Sequence, residues 1–271
     1  MNQFSLVNKV VVVTGAAGLL GRNHVQAIAD AGGIPVLIDI DALNMKSVIE
    51  EFESKFGIEF SHFVVDITDE NQVKVCCENI LQKYGHIDGL VNNAANNPKI
   101  ETNGVNEQSR LENFSINSWQ ADISVGLTGA FICTKYFGTA IALQGGSIVN
   151  ISSDLGLIAP DQRLYEKHGL APGNQPVKPV TYSVVKTGLI GLSRYTATYW
   201  AKQGVRCNSL CPGGVENSQD PSFVAKLTSL IPLGRMARQN EYQGSLIFLL
   251  SDASTYITGT ELVADGGRTA W

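Results

Sequence analysis

Short runs of apolar, mostly β-branched residues recur along the chain, and longer amphipathic stretches fill the intervals between them. Runs of the first kind have the length and composition of strands buried on both faces; the longer stretches have the period of helices packed along one side. Strands are expected at 9–14, 34–38, 59–65, 87–91, 147–152, 205–210 and 261–264, with helices in most of the intervals. Strand and helix alternating in this way predict an α/β fold of the Rossmann type, a doubly wound, mostly parallel seven-stranded sheet flanked by helices. A chain of 271 residues, 44% hydrophobic, can bury a sizeable core. No repeat, low-complexity run or linker divides it, so residues 1–271 are expected to form one domain.

Charge and composition narrow the function classes. A net charge of −5 and a pI near 5.4 lack the basic footprint of a nucleic-acid binder. The apolar run Val10 to Val13 is too short for a signal peptide core, and no run approaches the roughly 20 apolar residues that span a bilayer. A cytoplasmic protein with no membrane partner is expected. Cys76, Cys77, Cys133, Cys207 and Cys211 lack paired metal-ligand spacing and read as reduced packing residues. The histidines form no H-x-x-x-H motif, so no metal is expected, and His168 reads as a surface residue.

The first expected strand runs at once into Gly15, Gly18 and Gly21 and then a helix. This is the strand, glycine turn and helix order of a dinucleotide site, where the backbone closes on a pyrophosphate and the helix N-terminus offers it unpaired N–H groups. Asp39 ends the second strand, where a carboxylate accepts from the adenosine ribose of NAD and repels the 2′-phosphate of NADP. Asp41 competes for that role, and either residue could instead cap the next helix. No basic residue lies between Thr14 and Gly21, so NAD is favoured over NADP.

Much further along, Tyr182 and Lys186 stand four apart in PVTYSVVKTGL, downstream of GSIVNISSD. On a helix they share a face, and a nearby ammonium favours the phenolate and lowers the tyrosine pKa toward neutrality.

With TGAAGLLG and YSVVK stand VVDITD, LVNNAA, IVNISSD, RCNSLCPGG, PLGRM and a terminal VADGG, and this set resembles the short-chain dehydrogenase/reductase family along nearly the whole chain. The resemblance implies a catalytic set of Ser153, which holds the substrate oxygen, Tyr182 as acid/base, and Lys186, which binds the nicotinamide ribose and lowers the tyrosine pKa. It implies cofactor contacts from Gly15, Gly18, Leu20, Gly21, Asp39, Asp66, Ile67, Asn93, Ala94, Ala95, Lys186, Pro212, Gly213 and Val215. It also implies a homo-oligomer, tetramer or dimer, packed through the helical stretches 119–142 and 182–202.

Three departures bear on what is carried over. The glycine turn is spaced T-G-x-x-G-x-x-G with Leu19 in place of a small residue, a spacing similar to that of sugar-nucleotide-modifying relatives. Gly126 stands where the family has an asparagine at a distortion of a long helix; that helix is expected to be irregular there, with the Gly126 carbonyl directed toward Lys186. The segments 96–118 and 159–180 are enlarged. Their polar residues, among them Asn96, Asn97, Thr102, Asn103, Asn106, Gln108, Ser109, Gln162, Arg163, Glu166 and Lys167, suit a hydroxyl-rich or anionic ligand. The expected function is NAD-dependent hydride transfer to or from a secondary alcohol or ketone of a small polar substrate, possibly a sugar. The alternatives are a catalytically silent NAD-binding sensor or scaffold, an NAD-assisted sugar epimerase or dehydratase, and a 3-oxoacyl reductase-like enzyme.

Overall fold

In the computed structural model, which describes residues 3–96 and 108–271, seven strands form one parallel sheet. They are β1 (Val10–Thr14), β2 (Ile34–Asp39), β3 (Ser61–Val64), β4 (Gly89–Asn92), β5 (Gly146–Ile151), β6 (Val205–Pro212) and β7 (Glu261–Ala264), in the order β3-β2-β1-β4-β5-β6-β7. The seven-stranded, doubly wound sheet expected from the sequence is thus the fold. Strand alternation divides the core between the two faces: Val10 and Val12 of β1 join one buried cluster, Val11 and Val13 the other.

Most strand ends differ from the sequence pattern by one residue, and β6 runs on two residues to Pro212; two strand starts shift by two residues. The third and fourth strands begin at Ser61 and Gly89, later than their apolar runs. Phe60 packs instead against the rings of Phe52 and Phe56, and Ile87 is buried before its strand enters the ladder. An apolar run marks burial, and burial precedes pairing here.

The helices are α1 (Leu19–Asp30), α2 (Ala42–Phe56), α3 (Glu70–Tyr84), α4 (Ile116–Ile123), α5 (Ala130–Ile141), α6 (Val180–Tyr199), α7 (Pro221–Thr228) and α8 (Gln243–Leu250). Asp41 and Asp69 cap α2 and α3 through their carboxylates, and left-handed Gly57 and Gly85 end them. Between α4 and α5, Ser124–Gly129 widens into a π-helical turn. The irregularity expected at Gly126 is therefore present. No described helix is long and apolar enough to cross a membrane.

Chain direction across the sheet reverses at β1, which pairs with β2 on one side and β4 on the other. The crevice beyond the carboxyl ends of these strands is where open α/β sheets take their ligands.

Candidate active site

A groove of about 450 Å³ opens at that crevice. Gly15, Gly18 and Leu20 after β1, Asp39 after β2, Asp66 and Ile67 after β3, and Asn93, Ala94 and Ala95 after β4 all line it. The turn is built from close approaches. Gly15 has φ of +62°, and a Cβ there would lie 2.8 Å from the Ala94 Cα. A Cβ on Gly21 would lie 2.0 Å from the Gly15 carbonyl oxygen, so Gly21 seats the first turn of α1 against the loop. Asn93 ties the end of β4 to this turn, its amide donating to the Thr14 and Gly15 carbonyls at 3.0 Å. Asn92 lies deeper, donating to Thr134 and Asn150 between the strands.

The two aspartates after β2 separate by partner. Asp41 spends Oδ1 on the Leu43 and Asn44 N–H groups at the start of α2. Asp39 accepts from the Ala17 N–H of the glycine turn at 2.9 Å, and both aspartates line the groove. The α1 N-terminus has Gly18 as its cap, no side-chain cap and no acidic residue in its first turn, so its N–H groups are left for an anion. A pyrophosphate against this turn and a ribose against Asp39 fit these residues. Lys186, Pro212, Gly213 and Val215 are not among the residues lining this groove: Lys186 lines a narrow cavity that shares Ala95 with it, Pro212 ends β6, Gly213 packs against Asp265, and Val215 bridges to Ala237.

Beside the groove, the end of β5 and the start of α6 bring Ser153, Tyr182 and Lys186 together. The Ser153 hydroxyl lies near enough to the Tyr182 phenol to favour its phenolate form, and the Lys186 Nζ lies 5.8 Å from the centre of the Tyr182 ring. The Lys186 ammonium donates to the Ile151 carbonyl at 2.8 Å, and Ser152 holds the Lys186 carbonyl at 2.7 Å. Its one described hydrogen bond is thus to Ile151 rather than to Gly126, although Gly126, Tyr182 and Lys186 line one narrow cavity.

The tyrosine pKa runs opposite to the sequence expectation. Burial is the largest influence and raises it, Asp154 adds to the rise, and Ser153 and Arg268 oppose it. Burial lowers the Lys186 ammonium as well, to about 8, with help from the charge of Lys178.

Three further charged residues surround this cluster. Asp154 accepts from Ser153 at 2.7 Å through Oδ1 and forms a buried ion pair with Arg268 at 2.7 Å through Oδ2. Lys178 places its ammonium 3.8 Å above the Tyr182 ring centre. Asp154 follows the quoted ISS and Arg268 follows the quoted VADGG, so both were visible as neighbours of motifs; only the fold joins residues 114 apart. Lys178 precedes Tyr182 by the spacing at which Lys186 follows it, but it lies before the helix begins, where periodicity says nothing.

Of the enlarged segments, residues 97–107 lie outside the described part, including Asn97, Thr102, Asn103 and Asn106. In the second segment His168 is exposed, Arg163 pairs with Asp161, and Gln162 accepts from the Lys178 N–H. All five cysteines are buried, and burial pushes Cys76 up to about 12 and Cys77 to about 11, the behaviour of inert packing thiols.

A parallel sheet whose crevice fits a dinucleotide, with a tyrosine, serine and lysine gathered beside it, has the architecture of a nicotinamide-dependent oxidoreductase. A family profile described as Enoyl-(Acyl carrier protein) reductase matches residues 15–269. A 3-oxoacyl-[acyl-carrier-protein] reductase of Thermotoga maritima is 32% identical over 97% of this chain and 98% of its own. D-threitol dehydrogenase of Mycolicibacterium smegmatis is 30% identical over 98% of this chain and 95% of its own. The crystal structure of a gluconate 5-dehydrogenase from Burkholderia cenocepacia J2315, in complex with NADP and tartrate, superposes with a TM-score of 0.82 at 26% identity, covering 100% of this chain and 98% of that one. The chain belongs to the short-chain dehydrogenase/reductase family, and it is an NAD(P)-dependent enzyme acting on CH–OH groups.

Proposed function

We propose that the enzyme interconverts a secondary alcohol and a ketone on a small, hydroxyl-rich substrate of the sugar or sugar-acid class, with NAD preferred over NADP. The observation that carries this reading is the gathering of Ser153, Tyr182 and Lys186 beside a groove that Asp39 lines. When bound, the nicotinamide supplies the hydride acceptor or donor. In the oxidation direction Tyr182 takes the substrate hydroxyl proton and Ser153 holds the same oxygen. The Ser153 hydroxyl has one proton, which it gives either to Asp154 or to the phenolate, so loss of the tyrosine proton and reorientation of Ser153 go together. Lys186, held by the Ile151 carbonyl, adds positive charge near the developing phenolate.

Support for the substrate class comes from relatives named for threitol and gluconate. Support for NAD comes from the acidic groove edge, although the gluconate 5-dehydrogenase was solved with NADP. A homo-oligomer, cytoplasmic and built from one domain per chain, belongs to the same reading: Phe131 on α5 and Tyr195 and Tyr199 on α6 are more than half exposed, an apolar surface suited to a partner copy. Formation of the reduced cofactor should be followed by near-ultraviolet absorbance over a panel of alditols, aldonates and sugars with NAD or NADP. Turnover confined to acetoacetyl thioesters would favour the 3-oxoacyl reductase alternative, the reading supported by the Thermotoga relative.

A further inference from the structure

Next to the Ser153–Tyr182 pair, a second cavity of about 550 Å³ lies between the enlarged segment before α6 and the turn after β5. Its walls are largely apolar, from Leu155, Leu157, Ile158, Pro160 and Val177. Lys178 is the one charged side chain in its described lining.

Among the described residues no acceptor holds this ammonium; its close contact is the face of the Tyr182 ring, 3.8 Å away. Asp154 is near enough to act on it electrostatically, yet the hydrogen bonds from Ser153 and Leu155 occupy one Asp154 oxygen and Arg268 the other. Lys178, Lys186 and Arg268 thus lie around Tyr182 as three cations, against the carboxylate of Asp154 and that of Asp122, which accepts from Thr181 in the cavity shared with Lys186. The backbone carrying Lys178 is fixed, because its N–H donates to Gln162 at 2.8 Å, the Val177 N–H donates to Ser109 at 2.9 Å, and Pro176 and Pro179 flank it. An ammonium held in place over the candidate acid/base, partly desolvated and short of an anionic partner, is prepared to receive one.

We infer that Lys178 is a specificity-determining residue that binds an oxyanion, carboxylate or phosphate, on the substrate while the carbon to be oxidised lies at Tyr182. The inference rests on the oxidoreductase reading of the site and adds the charge of the substrate to it. Burial agrees with it: the ammonium is brought down to about 8, and an anion entering the cavity would restore the charged form. A competing role, in which Lys178 acts only on the Tyr182 ring, would affect every substrate alike.

The test compares neutral alditols (xylitol, mannitol) with an aldonate (gluconate) and an alditol phosphate (sorbitol 6-phosphate), in the wild type, Lys178→Met and Lys178→Arg. Wild-type kcat/KM should be higher for one of the anions than for the alditols, and the anion-to-alditol ratio should fall at least tenfold in Lys178→Met and recover in part in Lys178→Arg. Whether gluconate or the phosphate shows the effect identifies the oxyanion. Ser153→Ala should lower all rates together and leave the ratio in place. A ratio unchanged in Lys178→Met, or a wild type that prefers the neutral alditols, overturns the inference. If no compound turns over, calorimetric titration of gluconate and sorbitol 6-phosphate into the protein loaded with reduced cofactor decides it separately: binding that Lys178→Met abolishes upholds the anion site while the proposed sugar-class substrate falls, and no anion binding to the wild type refutes the site.

Discussion

Replacing Gly126 with the asparagine its family carries should damage this protein. A Cβ at that position would lie 2.6 Å from Val185 Cγ1 and 3.3 Å from Cγ2. Carbon atoms in contact prefer about 3.5–4.0 Å, so roughly 1 Å must be recovered. Val185 cannot supply it by turning, because a β-branched side chain in a helix is held to one rotamer and this one is buried. The π turn or the first turns of α6 must move instead. Overpacking of this kind costs about 1–3 kcal/mol, and removing a glycine returns about 0.5–1 kcal/mol of chain entropy, leaving a net loss of about 1 kcal/mol at mid-range. Val185 adjoins Lys186, so kcat should fall as well, by up to about a hundredfold for a shift near 1 Å. Val185→Ala removes both Cγ atoms and makes room. Denaturant melts of the two single variants and the double variant should therefore show a favourable coupling of about 1–2 kcal/mol, with kcat recovering in the double variant. Gly126→Asn within about 0.5 kcal/mol of wild type, or additive single and double variants, would refute the packing argument.

Tyr182→Phe should lower kcat by about 10² to 10⁴-fold while the affinity for reduced cofactor, followed by fluorescence, is kept; substantial residual turnover would remove Tyr182 from the chemistry. Asp39→Ala should narrow the NAD-over-NADP ratio of kcat/KM at least about tenfold and cost about 1 kcal/mol of stability through the bond lost to the Ala17 N–H. His24 is fully buried with both ring nitrogens unpartnered, and burial lowers its pKa from 6.5 to about 4. The unfolded chain therefore binds a proton that the native protein refuses between these values, and stability falls as pH falls through that window, by about 2 kcal/mol at pH 5. His24→Met should flatten the melting temperature between pH 7 and 5; equal slopes in the two proteins would contradict the assignment.

Both faces of the sheet were legible in the continuous apolar run of β1, because a parallel strand covered on both sides is apolar at nearly every position. Gly15 and Gly21 were legible for a related reason: a positive φ and a 2.0 Å approach admit no other residue, so the backbone requirement is written into the chain. The tyrosine and lysine of α6 were found because a helix converts a spacing of four into a shared face. The ionisation of Tyr182 depends instead on how deeply it is buried and on Asp154, Ser153 and Arg268, which arrive from distant segments. Spacing cannot encode a local dielectric, which is why the sequence implied a lowered pKa where the folded protein has a raised one. The same holds for Asp39 and Asp41, indistinguishable at a strand end until one caps α2 and the other holds the Ala17 N–H of the glycine turn. By itself the sequence determined the fold and the glycine turn, which rest on local backbone geometry and periodicity, and its likeness to the family supplied the expected catalytic set. The tertiary structure alone decided the charge around Tyr182, since electrostatic interactions act through space between Asp154, Lys178 and Arg268 regardless of their separation along the chain.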